Sequence, residues 1–294
     1  ASQKVLFGTG WMFGSNVVLI FLGLCSLFLV SSLITKKSLG FITVLLFSTC
    51  MPFLWFSRET MTENMAFFLL WFLILSLFLY IKTKRNYFLV SFFLSSWLFS
   101  FTRNEGLFIQ IPVLIIFMVI LLIKKSVSKK KVIFMSIVYI SLIALSFFVI
   151  NWLVPLNKNL NVTSALTNVN IYLKNTNFVS LGERLPIFIF QMFSKQNLGL
   201  AIYSFPILIM LIVVSKKEVV KDKALYICLL GILSVEFIKL KNPDVTLEQP
   251  WMYRRYLYAL LPLGYLSLSV LLNNLVKRKF LIYVFCSLLL INLI

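Results

Sequence analysis

The sequence predicts an all-α protein, a polytopic transmembrane helical bundle of about ten spans. Three observations carry that prediction. The 294-residue chain is 61% hydrophobic and 16% aromatic. A soluble domain is about half apolar, and the excess here lies in long runs nearly free of charge. Five short basic clusters, at 36–37, 82–85, 124–131, 216–223 and 277–279, punctuate those runs. Polar segments of a different character alternate with them and hold most of the acids and most of the arginines.

The net charge of +19 suggests a nucleic-acid partner until the charges are placed. The five clusters hold 17 of the 28 basic residues and 2 of the 9 acids. Basic residues beside spans keep their loops in the cytoplasm. The basicity is therefore topogenic, and no nucleic-acid partner is expected.

The predicted spans are 15–34, 39–57, 64–81, 87–102, 106–123, 132–154, 199–215, 224–240, 256–273 and 280–294. With the lysine clusters inside, the outer segments are 1–14, 58–63, 103–105, 155–198 and 241–255, and the alternation has no conflict. Residues 1–14 begin outside, so a preceding span and its outer loop are expected, and the short run 280–294 reads as cut. No signal peptide is read, because the lysines follow the first apolar run. The chain forms one transmembrane domain, 1–294, with one sizeable extracytoplasmic loop, 155–198. Within that loop the apolar stretch near 185–193 is too short to span and reads as an interfacial helix. A sequon at Asn161 matters only in a secretory lumen. No internal repeat is present, which weighs against transporters built from repeated halves.

Cys25, Cys50, Cys228 and Cys286 lie in apolar runs with no metal or redox spacing. There is no histidine, so acid/base chemistry must rest on carboxylates. No cofactor is expected, and a divalent cation at the outer carboxylates is left open.

Three short outer segments carry the candidate chemistry. Before the third span, Glu59 and Glu63 are four apart and share one face if the helix includes both. Like charges at that spacing repel mildly, so Arg58, Arg103 or a cation should offset them. The pair reads either as an acidic helix cap or as carboxylates facing an outer pocket. Between the fourth and fifth spans, Arg103 and Glu105 form either a neutralised hairpin or an anion site, since the Arg fork binds phosphate bidentately. Before the ninth span come Glu248, then Arg254 and Arg255 beside Tyr256. These serve either as an interfacial anchor or as a phosphate clamp. Five of the seven arginines lie outside, where topology does not require them. Glu236, inside the eighth span, is either paired with Lys239 three residues on or functional by virtue of its depth.

The pattern Ser57-Arg58 followed by Thr62-Glu63, the run Thr102-Arg103-Asn104-Glu105-Gly106-Leu107, and Arg254-Arg255-Tyr256 followed by Leu261-Pro262 resemble the C-type glycosyltransferases (GT-C). The resemblance covers most of the chain in layout, and its motifs are short. It implies a multispanning enzyme that moves a sugar, with inversion, from a polyprenyl-phosphate donor to a glycan, lipid or protein acceptor on the extracytoplasmic side. By motif, Glu63 resembles the family's second acidic position, with Glu59 beside it. Arg103, Arg254 and Arg255, with Arg58, resemble donor-phosphate contacts, and Glu105, Tyr256 and Glu248 fall in the substrate pocket. The family's first-loop acid has no counterpart in residues 1–14. Such an enzyme would also contact membrane lipids. An O-antigen-type polymerase or ligase and a lipid-linked-sugar flippase or transporter are the rival expectations. The Lys, Asn, Ile and Phe bias points to an AT-rich genome and a bacterial plasma membrane.

Overall fold

The protein was analysed as a computed structural model, which describes residues 14–50, 53–54, 62–102, 106–123, 129–153, 222–236, 258–275, 283–284 and 286–288. Among these residues the structure is helical, with no strand. Eight helices follow in order: α1 (Gly14–Ile34), α2 (Lys37–Thr49), α3 (Thr62–Thr83), α4 (Asn86–Phe99), α5 (Gly106–Ile123), α6 (Lys129–Leu153), α7 (Lys223–Ile232) and α8 (Leu260–Leu275). Two of them, α1 and α3, are long and apolar enough to cross a membrane.

The central helix is α3, with 15 of its 22 residues buried, from Glu63 and Asn64 at its head to Tyr80 and Ile81 at its foot. It packs against both α1 and α4. The buried stripe of α1 runs Gly23, Ser26, Leu27, Val30, Ser31 and Ile34, at helical spacing and half of it small. Small residues let two backbones approach. A Cβ on Gly23 would lie 2.5 Å from the Phe67 ring of α3, so that approach requires glycine. The core continues as one cluster through Phe92, Phe117, Tyr226, Leu229 and Leu263.

Helix directions follow from the contacts at one end. The backbone N–H of Asp222, just before α7, donates to the carbonyl of Ile34, the last residue of α1, at 3.1 Å. Lys82, at the foot of α3, sits 3.6 Å from the Asp222 carboxylate and donates to the Leu33 carbonyl at 3.4 Å. The ends of α1 and α3 and the start of α7 therefore meet, and three of the five lysine clusters converge there. Two reversals complete this end. Thr35 and Lys36 join α1 to α2, and Lys84, at φ 57°, turns the chain from α3 into α4.

The other helices hold the same register. Thr43 of α2 and Ser269 of α8 share a hydrogen bond at 2.7 Å, six residues from the start of α2 and six from the end of α8. Ser96 of α4 and Tyr139 of α6 meet at 2.7 Å, each ten residues into its helix. At about 1.5 Å per residue, matched offsets put those helix ends level. The start of α6, with Lys129, thus lies at the lysine end.

Several helices differ from the predicted spans. The 39–57 span is α-helical only to Thr49. The hydroxyls of Ser48 and Thr49 bond back to the Leu45 carbonyl at 3.1 and 2.9 Å, and Pro52 has no N–H to continue a ladder. The α-helix of the 224–240 span ends at Ile232 and tightens into a 3₁₀ turn over residues 233–236. The 256–273 span becomes helical at Leu260. The predicted span 199–215 and the interfacial stretch 185–193 lie outside the described residues. Large apolar side chains cover the outside of the bundle: Phe21, Phe41, Val90, Phe134, Phe148 and Ile227 are each 60% exposed or more.

Candidate functional site

The site is built at the end of the bundle opposite the lysines. Glu63 enters it on the first turn of α3. The helix begins with Thr62, whose hydroxyl lies 3.4 Å from the Glu63 carboxylate. Glu63 is only 6% exposed and Asn64 1%, because α3 is the most enclosed helix. Asn16, on the first turn of the parallel α1, is buried at the same end. A carboxyl group held this far from water among apolar helices is a costly placement, which a bare surface cap would avoid.

The hairpin between α4 and α5 is the second part. Thr102, 9% exposed, donates its hydroxyl to the Phe99 carbonyl at 2.8 Å and closes α4. Gly106 opens α5 so close to α4 that a Cβ there would lie 2.7 Å from the Phe99 carbonyl oxygen. A buried polar network braces the hairpin from below. The side-chain amide of Gln110 donates to the Ser96 carbonyl at 2.9 Å and to the Ser100 hydroxyl at 3.2 Å. Its oxygen accepts from the hydroxyls of Ser96 and Tyr139, and those two hydroxyl oxygens are 2.7 Å apart. Two hydroxyl protons thus serve three close oxygens. The Tyr139 ring stacks on Phe92 at 5.6 Å, which locks the group against α4.

The third part precedes α8. Tyr258 is fully buried and held at three points. Its hydroxyl donates to Glu236 Oε1 at 2.6 Å. Its carbonyl accepts from Trp71 Nε1 of α3 at 2.9 Å. Its ring packs against Phe99 at 6.3 Å. A short O–H···O bond to a buried carboxyl contributes about 1.5–3 kcal/mol when that carboxyl is charged. The Glu236 carboxyl is enclosed as well, and its hydrogen-bond partner in the fold is Tyr258 rather than a residue of its own helix.

Of the residues singled out in the sequence, Glu63 and Glu236 stand in the described fold. Glu59, Arg58, Arg103, Glu105, Glu248, Arg254, Arg255 and Tyr256, together with Lys239, lie outside the described residues. Since α3 is described from Thr62, the shared face of Glu59 and Glu63 lies outside them too. The sequence reading missed Trp71, Gln110, Tyr139 and Tyr258. Gln110 alone offered a signal, as an amide inside an otherwise apolar stretch of α5. Among the described residues no group of three His, Cys, Asp or Glu side chains gathers that could hold a metal ion.

No protein family, characterised protein or solved structure matches this chain. The resemblance to membrane glycosyltransferases therefore rests on its motifs.

Proposed function

We propose that the protein is an integral membrane glycosyltransferase of C-type (GT-C) layout. It moves a sugar from a polyprenyl-phosphate donor to an acceptor at the end of the bundle opposite its lysines. The observation that carries this reading is the burial of Glu63 on the central helix, at the end away from the charges that orient the chain. Orientation alone gives no reason to enclose a carboxyl group there.

The chemistry divides between two residue types. The acceptor hydroxyl must lose a proton as it attacks, and Glu63 is the base. The sugar–phosphate bond breaks with charge building on the leaving phosphate, which needs positioned cations. Arg103 and the pair Arg254–Arg255 supply them, with Arg58 beside the acids. The membrane setting follows from two spanning-length apolar helices and from the exposed apolar girdle, which suits lipid and not water. The full reading is ten spans with cytoplasmic lysines in a bacterial plasma membrane, and Glu59, Glu105, Tyr256 and Glu248 complete the pocket.

Transfer from a polyprenyl-phosphate sugar in isolated membranes tests the proposal. Glu63→Gln and Arg103→Ala abolish transfer while leaving expression and topology intact. Arg254→Lys lowers it, because an ammonium cannot reproduce bidentate phosphate contact. Full activity of both Glu63→Gln and Arg103→Ala would overturn the outer-pocket reading. The enclosed Glu236–Tyr258 pair favours one alternative, a lipid-linked-sugar flippase or transporter using an ionisable group within the bundle. In that case Glu236→Gln stops translocation and Glu63→Gln does not.

A further inference from the structure

Tyr258 is a buried tyrosine tied to three elements, and each tie leads towards a different charged motif. Its carbonyl is bound by Trp71, which lies on α3 eight residues after Glu63. Eight residues of helix are about 12 Å, two turns below the buried acid. Its ring rests on Phe99, the last residue of α4 and four before Arg103. Its own chain leads back, three residues earlier, to Arg255 and then Arg254. Three residues span at most about 11 Å. Its hydroxyl is held by Glu236, on the 3₁₀ turn that ends α7.

We infer that Tyr258, bound through Trp71 and Glu236, is the positioning residue that sets Arg254 and Arg255 against Glu63 for recognition of the lipid-linked phosphate. This inference rests on the glycosyltransferase reading and adds residues that the motifs do not contain. The physical argument concerns leverage. Two adjacent arginines at the head of a helix keep about 2 kcal/mol each of rotamer entropy when free. They bind a phosphate bidentately only if the backbone that carries them is fixed in place. Tyr258 is fixed at its carbonyl, its ring and its hydroxyl, so the peptide that follows the arginines has neither rotation nor tilt to spare.

A second buried tyrosine provides the control. Tyr226 of α7 is as enclosed as Tyr258 and shares one hydroxyl hydrogen bond, to Ser267 of α8 at 2.8 Å. It lies three residues into α7, towards the lysine end, with no link to the charged motifs. Loss of its hydroxyl loosens the bundle to a comparable degree without touching the arginines.

The test is the affinity of the full chain in nanodiscs for polyprenyl monophosphate, titrated by mole fraction and read by native mass spectrometry. Thermal stability is measured on the same samples. The wild type binds, and Arg254→Ala with Arg255→Ala weakens binding at least tenfold. Tyr258→Phe and Trp71→Phe each weaken it about tenfold, or 1.4 kcal/mol. Tyr226→Phe lowers thermal stability similarly but leaves affinity within about twofold. Trp71→Phe serves as the reporter if Tyr258→Phe does not fold. If the wild type does not bind, or the double arginine variant binds like it, the glycosyltransferase reading fails and the inference with it. If the arginine variant is weakened while Tyr258→Phe and Trp71→Phe bind normally, the reading stands and the positioning role is refuted. Equal weakening by Tyr226→Phe would likewise reduce the effect to general loosening and overturn the inference.

Discussion

The two ends of the bundle treat charge in opposite ways. At the lysine end, Lys82 and Asp222 are 3.6 Å apart with about a third of each side chain exposed, and water screens them. Such a pair contributes roughly 0–1 kcal/mol and costs little to keep. At the other end Glu63 is 6% exposed, and Glu236 and Tyr258 are fully enclosed. There a lone ionised group would cost several kcal/mol, so it persists only where the fold supplies hydrogen bonds or function demands it. The same 294 residues thus spend cheap charge on orientation and costly charge on one interior region.

Exchanging charge for neutral amide at each end gives the largest contrast. Glu63→Gln reduces transfer at least about 100-fold, the scale of a lost general base, while Lys82→Gln leaves it within about twofold. Rates in membranes with matched protein levels measure both, and equal losses would erase the distinction between the ends. Next in size is the hairpin that carries Arg103. Gly106→Ala forces a Cβ to within 2.7 Å of a backbone carbonyl and destabilises the protein by about 1–3 kcal/mol. Thermal unfolding in nanodiscs reads this, and an unchanged midpoint would mean that α4 and α5 are further apart. The lysine end should yield a gain. Lys84 holds φ 57°, a left-handed conformation that costs a non-glycine residue about 1–2 kcal/mol. Lys84→Gly therefore raises the midpoint by a few degrees. The smallest effect is Asp222→Asn, which removes the ion pair but keeps an oxygen to cap Leu225 N–H. Its cost is under about 1 kcal/mol and shrinks in high salt.

The sequence made some of this visible and hid the rest for physical reasons. The predicted spans 15–34 and 106–123 coincide with α1 and α5 to within one residue, because charges and turn residues bound their apolar runs on both sides. The helix predicted over 39–57 stops at Thr49, since hydroxyls that bond back to their own helix leave no mark on hydropathy. The early end of α7 reflects a partner far along the chain, Tyr258, which no local pattern announces. Within the candidate site, Glu63 was legible because an acid stands out at the head of an apolar helix. Trp71, Tyr139 and Tyr258 were not, because an aromatic residue in an apolar run looks like any other core residue until its polar atom finds a partner.

The central claim is that the end holding Glu63 binds a lipid-linked phosphate. An experimental structure of the full-length protein in lipid, with polyprenyl phosphate added, tests it most directly. The account predicts a phosphate held by Arg103 or by Arg254 and Arg255, within reach of Glu63. A phosphate-free Glu63 end, with a polar cavity leading instead to Glu236, would contradict it and establish the transporter.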